Sequence, residues 1–407
     1  IMSFAEAYLE KVSLVPEVDR VPPSPSLSLI VTIPACNEPD LLQTLECLAG
    51  CTKPEGGVEI IRALNAGDSA GSDVVSQNLL SSDEITEFSH RNSSEDFRIL
   101  HTNITGIRRK DSGAGFARKI AMDHALSRFS QCNRPDGIII SLDADTLCDS
   151  DYLISIEKHF QSYPGSNACS VYFEHPLEGK DFPERVYKGI TEYELHMRYY
   201  VEGMRYAGHP HAFHTVGSAF CIRAETYASQ GGMNKKSAGE DFYFLQKIIP
   251  LGRFTELNTT RVIPSPRPSE RVAFGTGPTI SRFQSGKISR LESYNPGVFN
   301  DLKEFLSDVP FLYEEDPEQL RSRFESWPES IRTNLEKEIY DRIEEIRSNS
   351  AGKGAFIKRF YRWFNMFRAL KYINYAHTRY YERKPVQDAV REFLLNKEPG
   401  TVPDPDS

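Results

Sequence analysis

The sequence predicts an α/β fold: a mostly parallel sheet with helices on both faces, followed by a helical C-terminal region. Three features of the 407-residue chain support this prediction. Apolar runs of strand length, such as 138–142, are continuous, and they alternate with amphipathic segments over roughly the first 260 residues. Such strands are typical of a sheet that is covered on both faces. After Pro296 the patterns are helical, and the length suits two or three domains.

Strand and helix patterns follow one another along this first part. We expect strands over 29–34, 58–64, 97–101, 137–142, 168–173, 213–222, 254–257 and 261–263. Between them apolar residues recur at helical spacing, as Leu41, Leu45 and Leu48 do. The predicted helices cover 39–51, 73–78, 115–129, 151–163, 183–206 and 241–249.

Prolines and glycines interrupt this pattern between 264 and 278. Regular structure does not accommodate them, so residues 266–297 are expected to form an irregular active-site loop. The predicted parts of the chain are an N-terminal extension (1–26), a catalytic domain (27–265), this loop, and a helical region (298–407). Helices are expected in that last region over 299–306, 317–324, 329–347 and 355–381, and residues 398–407 are expected to be a loose tail.

Composition excludes several classes of protein. The net charge of -9 and the pI near 5.7 argue against general nucleic-acid binding. No run reaches the ~18–20 apolar residues that cross a bilayer. The seven cysteines are odd in number and form no CxxC pair, which favours a reducing, cytoplasmic location. Cys47 and Cys51 stand one helical turn apart, so a metal site is conceivable, but no second pair completes it.

Two aspartates carry the most informative chemical signal. Asp143 and Asp145 directly follow the apolar run 138–142, and ligands of open α/β sheets bind beyond the carboxyl ends of strands. Two carboxylates with one small residue between them can address a divalent cation and its bound phosphates together. A solvated aspartate pair at a strand end is the alternative interpretation.

Other predicted strands also end in polar residues, so their side chains are expected at the same edge of the sheet. The first strand leads into Asn37 and Glu38, and the second into Asn65 and Asp68. A basic, glycine-rich segment over 108–118 then opens a helix whose N–H groups could face a diphosphate. Simple turn chemistry also explains such a helix start.

Together with the pair Glu240–Asp241, these segments resemble the family 2 glycosyltransferases, inverting enzymes with the GT-A fold, over roughly residues 27–260. The order carries the resemblance: a proline–small–x–Asn–Glu loop, an Asp-rich second strand end, a glycine-rich helix start with Ala-Arg, the DxD element and a distal Glu-Asp pair. It implies nucleotide-sugar binding by Pro34, Ala35, Asn37, Glu38, Asn65, Asp68, Gly115, Arg118, Asp143 and Ala144. Asn65 replaces the aspartate that many members use to contact the base, so the base stays open.

The resemblance also implies a metal ion and a general base. Asp145, with Asp143, would bind Mn²⁺ or Mg²⁺, and Asp241, beside Glu240, would deprotonate the acceptor hydroxyl. Capping of the helix is the alternative role of this acidic pair. On the acceptor side the resemblance implies His214, Gly217 and Ser218. His209, His211 and His214 have a metal-like spacing, but a loop that lines or gates the acceptor site is the favoured interpretation.

The function implied is transfer of a sugar, with inversion, from a UDP- or GDP-linked donor to an acceptor glycan, lipid or small molecule. Retaining transfer, nucleotidyl transfer and a non-catalytic nucleotide-sugar or membrane-binding module stay open. Arg267 and Arg271 could contact phosphate or be solvated. Residues 353–384 carry nine basic side chains, one acid and many aromatics. Such a segment packs its aromatics inward or lies peripherally on an anionic membrane.

Overall fold

The computed structural model describes residues 3–12, 21–35, 38–67, 83, 85–107, 114–236, 239–270 and 274–397. Two compact units are present: Ile1–Pro176 with Thr215–Pro278, and Leu177–His214 with Thr279–Ser407. This division differs from the predicted boundaries 27–265, 266–297 and 298–407. Residues 177–214 interrupt the first unit in sequence but belong with the C-terminal helices.

In the described part of the first unit, eight strands form one mixed sheet, which confirms the predicted α/β class. Their order across the sheet is β3-β2-β1-β4-β7-β6-β8-β5. The strands are β1 (Leu27–Ala35), β2 (Gly57–Gly67), β3 (Phe97–Ile107), β4 (Ile138–Ser141), β5 (Thr146–Cys148), β6 (Ala168–Phe173), β7 (Phe220–Arg223) and β8 (Phe254–Pro264).

The four strands β3, β2, β1 and β4 are parallel, so their carboxyl ends lie at one edge. Ile30 and Val31 in β1 and Ile139 and Ile140 in β4 are fully buried. Such strands need apolar side chains on both faces, which is why the sequence shows continuous apolar runs. The predicted strand over 213–222 is shorter, because only 220–223 pairs, and it runs antiparallel to β4 and β6. The two short segments predicted near 254–263 form one strand, β8.

The described helices of the first unit agree closely with the predicted ones, and residues 85–92 are also helical. The predicted helix over 73–78 lies outside the described residues. The N-terminal helix α1 was not predicted, because its seven residues, about two turns, give little periodic signal. The helices are α1 (Glu6–Val12), α2 (Leu41–Gly50), α3 (Ala114–Gln131), α4 (Tyr152–Ser162), α6 (Ala224–Ser229), α7 (Glu240–Ile248) and a 3₁₀ turn (Ile249–Leu251), with α5 in the second unit.

The second unit is helical around α5 (Glu184–Tyr206). The Tyr199 ring contacts Phe299 and Phe393 at centroid distances of 5.3 and 5.5 Å, so α5 shares a core with helices far along the chain. The two-residue strands β9 (Glu292–Ser293) and β10 (Lys384–Pro385) pair here. The other described helices are α8 (Thr276–Gln284), α9 (Gly297–Asp308), α10 (Pro317–Ser326), α11 (Glu329–Leu335), α12 (Ile339–Ser348), α13 (Lys353–Trp363), α14 (Met366–Arg379) and α15 (Val386–Lys397).

Three predictions for this region are wrong. Residues 276–284 are helical rather than irregular. Pro278 does not interrupt this helix, because it lies in the first turn of α8, where its missing N–H is not needed. The predicted helix 355–381 breaks at Asn365, whose side chain accepts a hydrogen bond from the Arg368 N–H and caps α14. The predicted helix 329–347 divides after Leu335. The helix α15 was not predicted, and the tail 398–407 lies outside the described residues.

Candidate active site

The carboxyl ends of β1, β2 and β4 place the sequence-predicted residues at one edge of the sheet. Pro34 and Ala35 end β1 in register with Ala63 and Leu64 of β2. The Leu142 N–H donates to the carbonyl of Thr32 in β1, which extends the pairing beyond β4 by one residue. The turn that carries Asp143, Ala144 and Asp145 follows at once, so the structure places these residues and the end of β1 at the same edge of the sheet.

Arg118 lies at the centre of a buried polar cluster. It is 4% exposed and projects from the first turns of α3. Its Nε donates to Glu240 at 3.1 Å, and its Nη2 donates to Asp143 at 2.8 Å. Its Nη1 donates to the Ser141 hydroxyl at 2.6 Å and to the Gly217 carbonyl at 3.0 Å. The guanidinium therefore joins the DxD turn, α7 and the segment before β7.

Gly217 lies against this guanidinium. A Cβ at this position would stand 2.7 Å from Nη2 of Arg118 and 3.2 Å from Oδ2 of Asp241. Real Cβ atoms essentially never make contacts below 3.0 Å, so a larger residue at 217 would displace the guanidinium of Arg118. The Ser141 hydroxyl donates to the carbonyl of the same glycine at 2.7 Å. Sequence reasoning missed Ser141, although a polar residue that ends an apolar strand is a usable signal.

Gly115 has a similar packing role. A Cβ there would stand 2.2 Å from the Lys236 carbonyl oxygen and 2.9 Å from the Glu240 Cβ. The glycine-rich start of α3 therefore lets the chain before α7 approach closely. Gly115 and Arg118 therefore both lie against Glu240. Nucleotide binding by Gly115 stays a prediction.

Asp241 stands in the first turn of α7, after Gly239, which adopts a left-handed φ of 67°. Its Oδ1 accepts a hydrogen bond from the Phe242 N–H at 2.7 Å. Burial, followed by the charge of Glu240, raises the pKa of Asp241 to about 7, against the opposing effect of Arg118. A carboxylate with this pKa can take up a proton near neutral pH.

Arg267 forms a second cationic centre at the same edge of the sheet. It follows β8 and pairs with Glu38, with Asp145 at 3.1 Å and with Asp40 at 4.0 Å. Burial, together with the charges of Asp143 and Glu38, raises the pKa of Asp145 to about 7 although Arg267 lowers it. The sequence left phosphate contact and solvation open for Arg267; the structure shows ion pairs with these carboxylates, and phosphate contact stays a prediction.

The edge as a whole carries an excess of negative charge. Two guanidinium groups, those of Arg118 and Arg267, face six carboxyl groups within this connected network. The six are Glu38, Asp40, Asp143, Asp145, Glu240 and Asp241. A diphosphate would meet strong repulsion here unless a further cation accompanied it. Carboxylate oxygens are the ligands that Mg²⁺ and Mn²⁺ prefer, so the donor set fits a divalent ion.

Within the described residues, no three His, Cys, Asp or Glu side chains by themselves form a metal-binding group. This result also covers the histidines of the second unit. His209 contacts the Phe364 carbonyl at 2.9 Å, and its ring packs against Tyr361. Burial lowers the pKa of His214 to about 4. The histidine cluster is therefore packed inside a helical unit.

Some predicted site residues are placed only in part. Asn37, Asp68 and Arg271 lie outside the described residues, and Asn65 is described as backbone in β2. His214 belongs to the second unit, whereas Gly217 and Ser218 belong to the first. Ser218 is buried, at 2% exposure. The predicted roles of these residues toward base and acceptor stay predictions.

Comparison with known proteins gives a family-model match for part of the chain. Residues 138–299 match the family model described as glycosyl transferase family group 2. No curated protein sequence matches the chain. A crystal structure of S. aureus TarS 1–349 in complex with UDP-GlcNAc is 14% identical, with a TM-score of 0.42, over 84% of this chain and 93% of that one. For S. aureus TarS the values are 12% and 0.40, and the chain spans 55% of its length.

Proposed function

We propose that this chain, whose residues 138–299 match the glycosyl transferase family group 2 model, transfers a sugar from a nucleotide-diphosphate donor to an acceptor hydroxyl, with inversion and with a divalent cation. The matched residues begin with β4 and include Asp143, Asp145, Glu240 and Asp241. The observation that carries the proposal is the excess of carboxylates around two buried or half-buried arginines at the carboxyl edge of the sheet. This charge pattern suits a metal–diphosphate pair far better than a neutral ligand.

Asp241 is the proposed general base. Its carboxylate takes the proton of the acceptor hydroxyl while that oxygen forms a bond to the anomeric carbon. The bond from this carbon to the diphosphate oxygen breaks on the opposite side, so the configuration inverts. Arg118 holds Glu240 and Asp143 in place through its hydrogen bonds. It acts as a positioning residue, and its charge keeps the acidic pair folded against α3.

Asp145 is the proposed first metal ligand, and Asp143 the second. When bound, Mn²⁺ or Mg²⁺ would neutralise charge on the departing diphosphate. Asp143 already accepts from Arg118 and Asp145 pairs with Arg267, so phosphate and water oxygens would complete the coordination. Arg267 shares its carboxylates with the cation in this proposal.

Donor turnover in the presence and absence of Mn²⁺ tests the proposal. We expect one of a panel of UDP- and GDP-sugars to raise the melting temperature selectively with metal, and its nucleoside diphosphate to be released. The product anomer, assigned by NMR, should be inverted. Asp145→Asn should lose metal-dependent turnover, whereas Asp136→Asn, a change in a surface ion pair, should not.

Each alternative gives a different result. Retention of the anomeric configuration would indicate a retaining transferase, and release of pyrophosphate would indicate nucleotidyl transfer. Donor binding without any turnover, with or without candidate acceptors, would indicate a non-catalytic module.

We also propose a peripheral membrane contact through the basic surface of α13 and α14 in the second unit. Several aromatic side chains of α13 and α14 point inward, since Phe356, Phe360 and Tyr372 are at most 1% exposed. This arrangement leaves basic side chains at the surface, among them Lys358, Arg359, Arg362 and Lys371. The described helices include none that is long and apolar enough to cross a bilayer. Any membrane contact is therefore proposed to be electrostatic and peripheral.

Vesicle sedimentation tests this contact. The chain should bind vesicles with phosphatidylglycerol more than vesicles of phosphatidylcholine alone, and added salt should release it. Replacing Lys358, Arg359 and Arg362 by glutamine should remove the difference. Equal binding to both vesicle types would contradict the proposal.

A further inference from the structure

Three cysteine thiols meet where α2 packs against β5, next to the DxD turn. The Sγ atoms of Cys47 and Cys148 are 3.6 Å apart, and those of Cys51 and Cys148 are also 3.6 Å apart. Cys47 and Cys51 lie on the last turn of α2 and directly after it, whereas Cys148 ends β5. The glycosyltransferase chemistry proposed above uses none of these thiols.

The three thiols differ in exposure and in hydrogen bonding. Cys47 is partly exposed, whereas Cys51 and Cys148 are 4% and 7% exposed. The backbone N–H of Cys148 donates to the Cys47 sulfur at 3.3 Å. Hydrogen bonds from the thiol and the N–H of Cys148 lower the pKa of Cys47 to about 6, against the effect of burial. Cys47 is therefore the most accessible of the three thiols, and its pKa lets it ionise at neutral pH.

We propose that Cys47, Cys51 and Cys148 form a thiol-oxidation site, in which Cys47 reacts with hydrogen peroxide and Cys148 closes a disulfide with it. The Cys47 thiolate attacks one peroxide oxygen, the O–O bond breaks, and a sulfenic acid and hydroxide form. The Cys148 thiol then attacks that sulfur, the S–S bond forms, and the S–O bond breaks with release of water. The two thiols lose two electrons and two protons, and the peroxide is reduced to two waters.

The other described cysteines lack this combination of access and a thiol partner. Cys169 and Cys221 face each other on paired strands, but both are fully buried. Cys132 is partly exposed, but its sulfur contacts the Ser24 carbonyl, and burial raises the pKa of its thiol. Peroxide should therefore react at Cys47 before these sites.

Disulfide formation would change the position of the DxD turn in the proposed active site, because α2 contacts that turn. The two sulfurs must approach from 3.6 Å to about 2.05 Å, which requires rotation of the cysteine side chains, a shift of α2 toward β5, or both. One turn before Cys47, the Thr44 hydroxyl donates to the Ala144 carbonyl at 2.8 Å. Ala144 separates the two aspartates of the DxD turn. We expect oxidation to lower transferase activity, and this expectation alone rests on the proposed function.

Peptide mapping of the whole chain tests the disulfide without any activity assay. The reduced protein is treated with hydrogen peroxide, blocked with N-ethylmaleimide, and cleaved after glutamate and aspartate. Cleavage at these residues yields the peptides 47–55 and 146–149, which separates Cys148 from Cys132 and Cys47 from Cys36. We expect the peptides 47–55 and 146–149 to be joined and to part on reduction.

Variants assign the partners within the joined peptides. The link should persist in Cys51→Ser and in the control Cys132→Ser, and it should disappear in Cys47→Ser and Cys148→Ser. A link that survives in Cys47→Ser, or peroxide oxidation at Cys132 without any link, would overturn the proposal. Because a variant can fail to fold, wild-type labelling with iodoacetamide at neutral pH is the second measurement. Cys47 should react faster than Cys132, and the reverse order would also overturn the proposal.

Activity measurements distinguish failure of the thiol-oxidation site from failure of the proposed transferase function. If peroxide joins the peptides but donor turnover is not detected in the reduced enzyme, the oxidation site stands and the proposed function fails. If turnover is detected, oxidation should reduce it several-fold in the wild type, dithiothreitol should restore it, and Cys47→Ser should be insensitive. Turnover that is unaffected in the fully joined protein would contradict the link between this site and the DxD turn.

Discussion

At the scale of single residues, Asp241 is the most informative titratable group. Its pKa of about 7 lies above the ordinary value because burial and Glu240 both disfavour the charged form. A general base must be ionised, so the rate should rise with pH to a plateau above about 7. Asp241→Asn should lower kcat by about 10²–10⁴-fold and remove this rise. Steady-state kinetics from pH 5 to 9 measure both effects, with Asp136→Asn as the unaffected control.

The same pKa predicts an effect on stability with a definite sign. In the unfolded chain Asp241 ionises near its ordinary value, so between about pH 4 and pH 7 the folded state binds more protons than the unfolded state. This residue therefore lowers stability as pH rises through that window. Asp241→Asn should melt at a higher temperature than the wild type at pH 8, and the difference should shrink at pH 5. A lower melting temperature at pH 8 would contradict the assigned environment.

Replacing each of two fully buried arginines should have opposite effects on the stability of the fold. Arg128 pairs with Glu59, which is 1% exposed, and its Nη2 donates at 2.6 Å. Among the described residues, the three side-chain nitrogens of Arg62 have no hydrogen-bond partner, and burial lowers the pKa of Arg62 to about 9. Removing an unpaired buried charge should stabilise the fold, whereas breaking a buried pair should destabilise it.

Urea unfolding of the two variants at pH 7 tests this contrast. Arg62→Met should gain roughly 1–3 kcal/mol, and Arg128→Met should lose about 3–5 kcal/mol, by the usual cost of unpaired buried charges. The pair is well matched because both side chains are arginines in the core of the same unit. Equal destabilisation of the two variants would show that Arg62 makes a favourable interaction in the folded protein.

At the scale of elements, close approach of backbone segments sets the geometry of the site. Gly217→Ala places a methyl group 2.7 Å from the Arg118 guanidinium, which four hydrogen bonds hold in place. We expect a fall of about 10²-fold in kcat/KM, since a displacement near 1 Å has this effect in active sites. Gly354→Ala is the control, because no atom lies within 4 Å of its added Cβ. Wild-type kinetics for Gly217→Ala would show that Arg118 does not position the acidic residues.

The elements also show what local sequence can and cannot predict. The apolar strands and the aspartates that follow β4 were predicted because their signals lie within a few residues. The break at Asn365 was missed, since apolar residues continue at helical spacing on both sides of it. The ion pairs of Arg267 were missed because their partners lie 122 and 229 positions away. Ion pairs between residues so far apart produce no periodic pattern in the sequence.

At the scale of the whole molecule, charge is distributed unevenly. The chain carries a net charge of -9, and its active-site edge holds six carboxyl groups against two guanidinium groups. Removal of divalent ions by EDTA should therefore weaken donor binding as well as slow turnover. Isothermal titration with the selected donor should show at least tenfold weaker binding without metal, restored by Mn²⁺ or Mg²⁺. Donor affinity that is unchanged by EDTA would contradict the proposed metal role of Asp145.

The division of the chain was the least predictable property at this scale. Residues 177–214 follow β6 in sequence and were assigned to the catalytic domain, yet α5 packs with α9 and α15. An aromatic amphipathic helix shows which face is buried but not which partner buries it. The helical character of the C-terminal region was predictable because its apolar stripes are local.

A buried aspartate gives practical guidance for shortening this protein. Tyr8 and Tyr227 both donate to Asp123 Oδ1 at 2.7 Å, and Lys119 donates to Oδ2 at 2.9 Å. Lys119 is the immediate neighbour of Arg118 on α3. Removing the first twelve residues to improve crystals would therefore remove the Tyr8 hydrogen bond to α3, the helix that carries Arg118. We expect such a shortened protein to fold but to have lower activity.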